Sequence, residues 1–179
     1  LDVSDPSAVT GVTGNERILW EFTDKHDPDL GNDPLSNEAR ANMAIALLNF
    51  AEGARPDLAR IRLEEAAQLA DSLAETADPM ARASAALTAS NVRRDLAPLK
   101  PQDRRREVLD RAIRDAQAAV DGFAGLGNEE GRLLAMRALG LSHLDQAVLE
   151  GAGPEADRHA RKAFPALEFA VAHLDRDRN

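Results

Sequence analysis

A stripe of polar side chains runs along the predicted first helix of each hairpin, and these side chains are the best candidates for binding. Asn42 and Asn49 are seven residues apart, so they share one helical face. Amide side chains offer a donor and an acceptor to the backbone of an extended peptide. The simpler alternative is the polar edge that every surface helix needs. The candidate partner-binding residues are Asn42, Asn49, Arg82, Ser84, Thr88, Asn91 and Arg137.

Histidines near the C-terminus raise the question of a metal site. Glu155 and His159 are one helical turn apart, and His143, His173 and Glu150 lie on other turns. No Glu-x2-His or His-x3-His pattern occurs, so structural histidines are the favoured interpretation. Gly-rich phosphate loops, nucleophile elbows and paired-carboxylate signatures are also absent from the sequence. We therefore predict no catalytic residue, no metal ligand and no cofactor.

Residues 27–38 have part of the spacing of a calcium-binding loop. Asp27, Asp29 and Glu38 fall at loop positions one, three and twelve. Gly31 stands where an acid is expected, and Asn32 stands where the loop needs glycine. We therefore interpret the segment as an acidic turn and predict no tight calcium site.

A basic stretch in the middle of the chain could suggest nucleic-acid binding. Acids such as Asp103 and Glu107 are interleaved with the bases, and no aromatic side chain is present there to stack on a base. The interpretation is a solvated helix face with many ion pairs. The bases are Arg93, Arg94, Lys100, Arg104, Arg105, Arg106, Arg111 and Arg114.

Composition favours a helical domain with no membrane or nucleic-acid partner. The 179 residues are 44 % hydrophobic, largely Ala and Leu, and contain no Cys. The net charge of −9 is concentrated in residues 1–38, which hold nine acids and two bases. The longest apolar run, residues 43–48, is too short to span a bilayer. The chain begins with Leu1, so we expect an excised domain or a processed product. We also expect a cytoplasmic location.

Helical periodicity predicts an all-α fold of three hairpins after an N-terminal arm. The arm, residues 1–34, carries one short helix near residues 14–24, and a repeat domain covers residues 35–179. Pro165 interrupts the last helical stripe and predicts a kink or break. The hairpins are predicted at about residues 36–77, 79–123 and 129–174, with Asp78 and Asn128 as N-caps of the second and third.

Apolar periodicity also predicts which helix faces are buried. The helix at residues 130–149 is apolar nearly all round, at Leu133, Leu134, Met136, Leu139, Leu141, Leu144 and Val148. The stripe of residues 102–123 consists of Val108, Leu109, Ala112, Ile113, Ala116, Ala119, Val120 and Phe123. The stripe of residues 155–174 consists of Ala156, Ala160, Ala163, Phe164, Leu167, Val171 and Leu174.

The hairpins repeat one another in sequence. Arg40, Arg82 and Arg132 occupy matching places in the first helices, at intervals of 42 and 50 residues. Pro56, Pro101 and Pro154 open the second helices. Inside those helices the aligned positions are Ala66-x3-Ala70-x2-Leu73, Ala116-x3-Val120-x2-Phe123 and Ala160-x3-Phe164-x2-Leu167. A period of this size predicts a stacked helical array.

The third hairpin resembles the tetratricopeptide-repeat superfamily. Leu139-Gly140 followed by His143, and Ala160 followed by Phe164 and Leu167, match the places where that family carries Leu-Gly, a ring, Ala and Phe. The resemblance implies antiparallel hairpins stacked as a short right-handed superhelix or bundle, with the first helices lining a concave face. It does not imply a particular ligand, because the family binds many partners.

These observations favour a non-catalytic scaffold that binds a protein or peptide as part of a larger protein. Arg82 and Arg137 would favour an acidic partner. One alternative is a peptide-sensing regulatory domain that controls a linked effector. The other is a metal-dependent helical-bundle enzyme that uses the histidines. The oligomeric state is not predicted from the sequence.

Overall fold

A computed structural model describes residues 34–76 and 78–174, which form six α-helices. The described residues contain no strand, so the all-α prediction is confirmed. A 3-10 turn, Ala97–Leu99, follows the third helix. The predicted short helix near residues 14–24 lies outside the described residues. The helices are α1 (Pro34–Ala51), α2 (Pro56–Ser72), α3 (Pro79–Leu96), α4 (Gln102–Gly125), α5 (Glu129–Glu150) and α6 (Pro154–Leu174).

Two helices, α3 and α5, begin at side-chain caps that the sequence predicts. The Asp78 carboxylate accepts a hydrogen bond from the backbone N–H of Met80 at 2.9 Å, and Pro79 takes the first helical position. The Asn128 side chain accepts one from the backbone N–H of Gly131 at 2.8 Å. These oxygens pair with N–H groups that have no partner inside the helix. Both predicted caps are confirmed.

Packing joins the helices in pairs and then joins the pairs. Each helix contacts the next along the chain, and α1 with α3 and α3 with α5 also touch. The three odd-numbered helices therefore lie side by side. Helix α3 packs against α2 and α4 on some of its sides and lies beside α1 and α5 on another.

The core consists mainly of small side chains on predicted stripes. Ala66, Ala116 and Ala135 are fully buried, and the larger side chains among them include Leu63 and Val92. Of the predicted stripe of α4, Leu109, Ala112, Ala116, Ala119 and Phe123 are buried, whereas Val108, Ile113 and Val120 are half-buried. Small residues allow close helix contacts, and each buried apolar group contributes to stability in proportion to its area.

The predicted stripe of α6 is only partly correct. Ala156 and Ala163 are buried, but Phe164 and Val171 are exposed. The helix continues through Pro165 without a break. On α5, predicted as apolar nearly all round, Leu134, Leu144 and Val148 are exposed. Periodicity identifies these side chains as apolar but does not show whether a neighbour covers them.

The burial of α4 can be tested at Ala116, which packs against Ala138 and Leu139 of α5. Ala116→Glu would place a carboxylate where no partner is available, so we expect unfolding free energy to fall by about 3 kcal/mol or more. Glu107→Ala is the control, because Glu107 is exposed and its pairs with Arg104 and Arg111 are surface pairs. Thermal unfolding measures both, and equal melting temperatures would contradict the placement of α4.

Candidate functional site

A cleft between α1, α3 and α5 is the most plausible binding site in the described residues. We call it the odd-helix cleft; its volume is about 370 Å³, within the range of roughly 300–1,000 Å³ usual for ligand pockets. Apolar side chains from all three helices line it together with polar and charged side chains. The lining residues are Leu48, Glu52, Leu87, Asn91, Arg94, Asp95, Leu134, Arg137, Ala138 and Leu141.

One end of the odd-helix cleft is acidic. Glu52 directly follows α1, and Asp95 lies in the last turn of α3. Burial raises the pKa of Asp95, Arg94 lowers it, and the neighbouring charges of Glu52 and Asp145 raise it again, with a net upward shift. The C-terminal ends of helices add partial negative charge. This end therefore favours a cation.

Asp145 is already neutralised by an ion pair across the cleft wall. Arg94 Nε donates to Asp145 Oδ2 at 2.9 Å, which joins α3 to α5. Arg94 Nη1 also lies 3.5 Å from the amide oxygen of Asn91. The carboxylates available to a ligand at this end are consequently those of Glu52 and Asp95.

The structure brings only two of the predicted partner-binding residues together. Asn91 and Arg137 line the odd-helix cleft. Asn42 and Asn49 are exposed on α1 but are not part of the lining. Asn49 is next to Leu48, which is part of the lining, and of the three asparagines predicted to bind a partner only Asn91 lines the cleft.

The other three predicted residues lie elsewhere on α3. Arg82 is exposed and lines a separate cavity that faces α2 and α4. The Thr88 hydroxyl donates to the backbone carbonyl of Ser84 at 3.0 Å, so its donor is used within the helix. Ser84 and Thr88 are half-buried and are absent from the lining of the odd-helix cleft.

The sequence analysis did not predict the acidic end of the odd-helix cleft or the apolar residues that line it. Asp95 belongs to the same polar stripe as Asn91, so its position was readable, but its neighbour Glu52 comes from another helix. Leu134 and Leu141 were assigned to the core. The available signal was the excess of apolar positions on α5, which is more than one buried face requires.

Two of the C-terminal histidines, His143 and His159, form a pair. His143 Nδ1 and His159 Nδ1 lie 3.0 Å apart between α5 and α6. His173 Nδ1 lies 2.9 Å from the Phe169 carbonyl oxygen, and Glu150 accepts from Gln146. Among residues 34–76 and 78–174, no group of three or more His, Asp or Glu side chains is placed to hold a metal ion.

Protonation of His143 is unfavourable. Burial, the nearby His159 and Lys162 together lower the pKa of His143 to about 4. A short contact between two ring nitrogens needs one donor and one acceptor, so a proton on both nitrogens removes the hydrogen bond and adds repulsion.

The basic stretch is ion-paired, as the sequence interpretation predicts. Arg93 is buried and pairs with Asp115 and, at 2.7 Å, with Asp71. Lys100 pairs with Glu64 at 2.6 Å. Further pairs with carboxylates involve Arg94, Arg104, Arg106 and Arg111. The guanidinium groups in the first half of α4 are thus largely occupied by acids.

Two sequence features lie partly or wholly outside the described residues. The arm up to residue 33 lies outside them, and this part includes residues 27–33 of the calcium-like segment.

In the described part, no helix combines the length and apolarity that crossing a membrane requires.

Stability should depend on pH through His143. Its folded pKa is depressed, so the unfolded chain takes up the proton first, and the native state loses stability as pH falls from about 6.5 to about 4. His143→Asn cannot titrate there, so its unfolding free energy should decline less steeply across this range than that of the parent. Denaturant unfolding at several pH values measures the two slopes, and parallel slopes would contradict the assignment.

Comparison with known proteins does not assign a family. No family model, curated protein or solved structure matches this chain. The function is therefore argued from the geometry and charge of the odd-helix cleft.

Proposed function

We propose that the protein is a scaffold whose odd-helix cleft binds a short peptide segment of a partner protein. The observation that carries the proposal is one cleft in which apolar side chains from three different helices lie beside polar groups that are not buried. Apolar side chains supply most of the binding energy in such clefts, and a few placed polar groups set orientation. Asn91 is half-buried on α3 and lines the cleft, and in this proposal its amide bonds the peptide backbone.

The scaffold proposed is of the tetratricopeptide type, with three antiparallel hairpins stacked in one direction. Support comes from the sequence repeat together with the contacts of α1 with α3 and of α3 with α5. Neighbouring first helices are expected in a stacked array of hairpins. Such a stack leaves one face of each first helix on a shared groove, which is where the odd-helix cleft lies.

The charges of the cleft suggest the chemistry of the peptide. Glu52 and Asp95 favour a Lys or Arg side chain at one end. On α5, Arg137 lies eight residues before Asp145, the residue that pairs with Arg94 near the acidic end of the cleft. Eight residues correspond to about 12 Å along a helix. An extended peptide covers that length in about four residues. We infer a partner segment with a basic residue at one end, apolar residues in the middle and an acidic residue about four positions away.

This inference modifies the partner expected from the sequence. An acidic partner was expected because of Arg82 and Arg137, but Arg82 lies outside the cleft lining. Arg137 still favours one acidic side chain. The acidic end of the cleft adds the requirement for a basic one.

The proposal predicts how single substitutions alter peptide binding. Peptides selected from a displayed random library should carry the mixed pattern, and Asn91→Ala should weaken them about tenfold, or about 1.4 kcal/mol. Asn49→Ala is the matched control, since the same side chain is exposed outside the lining. Affinity can be measured by fluorescence anisotropy, with melting temperatures unchanged in both variants.

Charge reversal tests the orientation of the peptide. Asp95→Lys should reverse the selection at one position, from basic to acidic residues. If Asn91→Ala and Asn49→Ala weaken binding equally, or Asp95→Lys leaves the selected pattern unchanged, the odd-helix cleft is not the peptide site.

A further inference from the structure

Helix α6 has an apolar seam on its exposed side. Ala160, Phe164, Leu167 and Val171 are spaced by four, three and four residues, which is the spacing of core positions in a coiled coil. Phe164 is 62 % exposed and Val171 is 59 % exposed, while the other two are half-buried. Ala156, Ala163, Ala166 and Ala170 of α6 are buried, and Leu167 also contacts α5, since a Cβ on Gly140 would lie 2.6 Å from Leu167 Cγ. The seam therefore adjoins the face that packs on α5, with Phe164 and Val171 on its exposed side and with Leu167 only partly exposed.

The repeat shows what such a seam does elsewhere in the chain. Val120 of α4 is the position aligned with Phe164, and Val120 packs against two buried clusters that include Ala135 and Ala138 of the following helix, α5. In the second hairpin this position is therefore a helix contact. In the third hairpin the aligned position carries a larger apolar side chain, and no helix of the described residues covers it.

The charges along the seam select a particular occupant. Arg161 directly follows the core position Ala160, and Glu168 directly follows Leu167, so both occupy the same flanking position of the heptad. Both are exposed. The opposite flank carries Ala163 and Ala170, which are buried in the molecule. The seam thus presents opposite charges on one side, seven residues apart.

We propose that this seam binds the α6 seam of a second copy of the chain, with the two helices antiparallel. A two-fold axis between Phe164 and Leu167 places Phe164 of each copy beside Leu167 of the other, and Ala160 beside Val171. The same axis places Arg161 of each copy beside Glu168 of the other. Two identical ion pairs then flank the apolar contact, as the symmetry of an isologous dimer requires.

A parallel arrangement lacks this complementarity. In parallel coiled coils the flanking position occupied by Arg161 and Glu168 faces the opposite flank of the partner helix. Here the opposite flank is alanine and is buried against α5, so neither charge would gain a partner. The antiparallel pairing uses all four charges of the seam. The odd-helix cleft takes no part in the contact, so this proposal does not depend on peptide binding.

Sedimentation equilibrium of the full 179-residue chain tests the dimer. Four apolar layers make an interface smaller than the standard size, so we expect a monomer–dimer equilibrium with a dissociation constant on the order of 10 µM. Phe164→Glu should raise that constant at least tenfold without changing helix content or melting of the monomer. Ile61→Glu is the matched control, because Ile61 is an exposed apolar side chain on α2, and it should leave the dissociation constant unchanged.

The ion pairs are tested by a charge swap. Arg161→Glu and Glu168→Arg should each weaken the dimer several-fold, whereas the double variant restores the pairs with reversed signs and should regain the parental constant. A chain that stays monomeric up to about 300 µM would overturn the proposal, since the expected constant is far below that concentration. A dimer insensitive to Phe164→Glu, or a double variant weaker than both single variants, would overturn it as well.

Discussion

Close approach of alanine-rich helix faces is the constraint on which this structure depends. Ala66, Ala116 and Ala135 have no exposed surface. Where α5 meets α6 even a methyl group is too much, because a Cβ on Gly140 would lie 2.6 Å from Leu167 Cγ and 3.1 Å from the Ala163 carbonyl oxygen. Small side chains give little buried area each, so many contacts must add together. They also allow α1, α3 and α5 to lie near enough to form one cleft.

Close packing makes buried polar groups costly unless they are paired. Arg93 is the main example, since its guanidinium on α3 joins Asp71 of α2 to Asp115 of α4. Burial lowers the pKa of Arg93, but its hydrogen bond to Asp71 and the charge of Asp115 raise it, with a net upward shift, so the group is charged in the fold. A buried pair adds less to stability than its geometry suggests, because desolvation opposes it. Removing one partner would leave an unpaired charge, so the three helices are held in one register.

The surfaces left after this packing have a common physical origin. Helices α5 and α6 carry more apolar side chains than their mutual contact and the contact of α5 with α4 require. Leu134 and Leu141 of α5 take part in the odd-helix cleft. Phe164 and Val171 of α6 form a seam on the helix surface. Exposed apolar groups arranged in a groove or a line, each next to selected charges, are typical of sites that bind other molecules.

The local features of the fold were predictable from sequence. Asp78 and Asn128 marked helix starts because their side chains can bond free backbone N–H groups, and the regular stripe of α4 marked its buried face. In the candidate site, Asn91 and Arg137 were predicted from their place on first helices. Such features depend on residues within a few positions of one another, so spacing alone is informative.

Only the tertiary structure decided which distant residues meet. His143 finds His159, and Arg93 finds acids about twenty residues away on either side. Glu52 and Asp95 form the acidic end of the cleft because two helix ends converge, which no spacing in the sequence specifies. Likewise, the sequence pattern indicates a core position for Phe164, and only the structure shows that no helix of the described residues covers it. By itself, the sequence determined which faces are apolar and where helices begin; the packing of six helices determined which of those faces are buried and which remain to bind a partner.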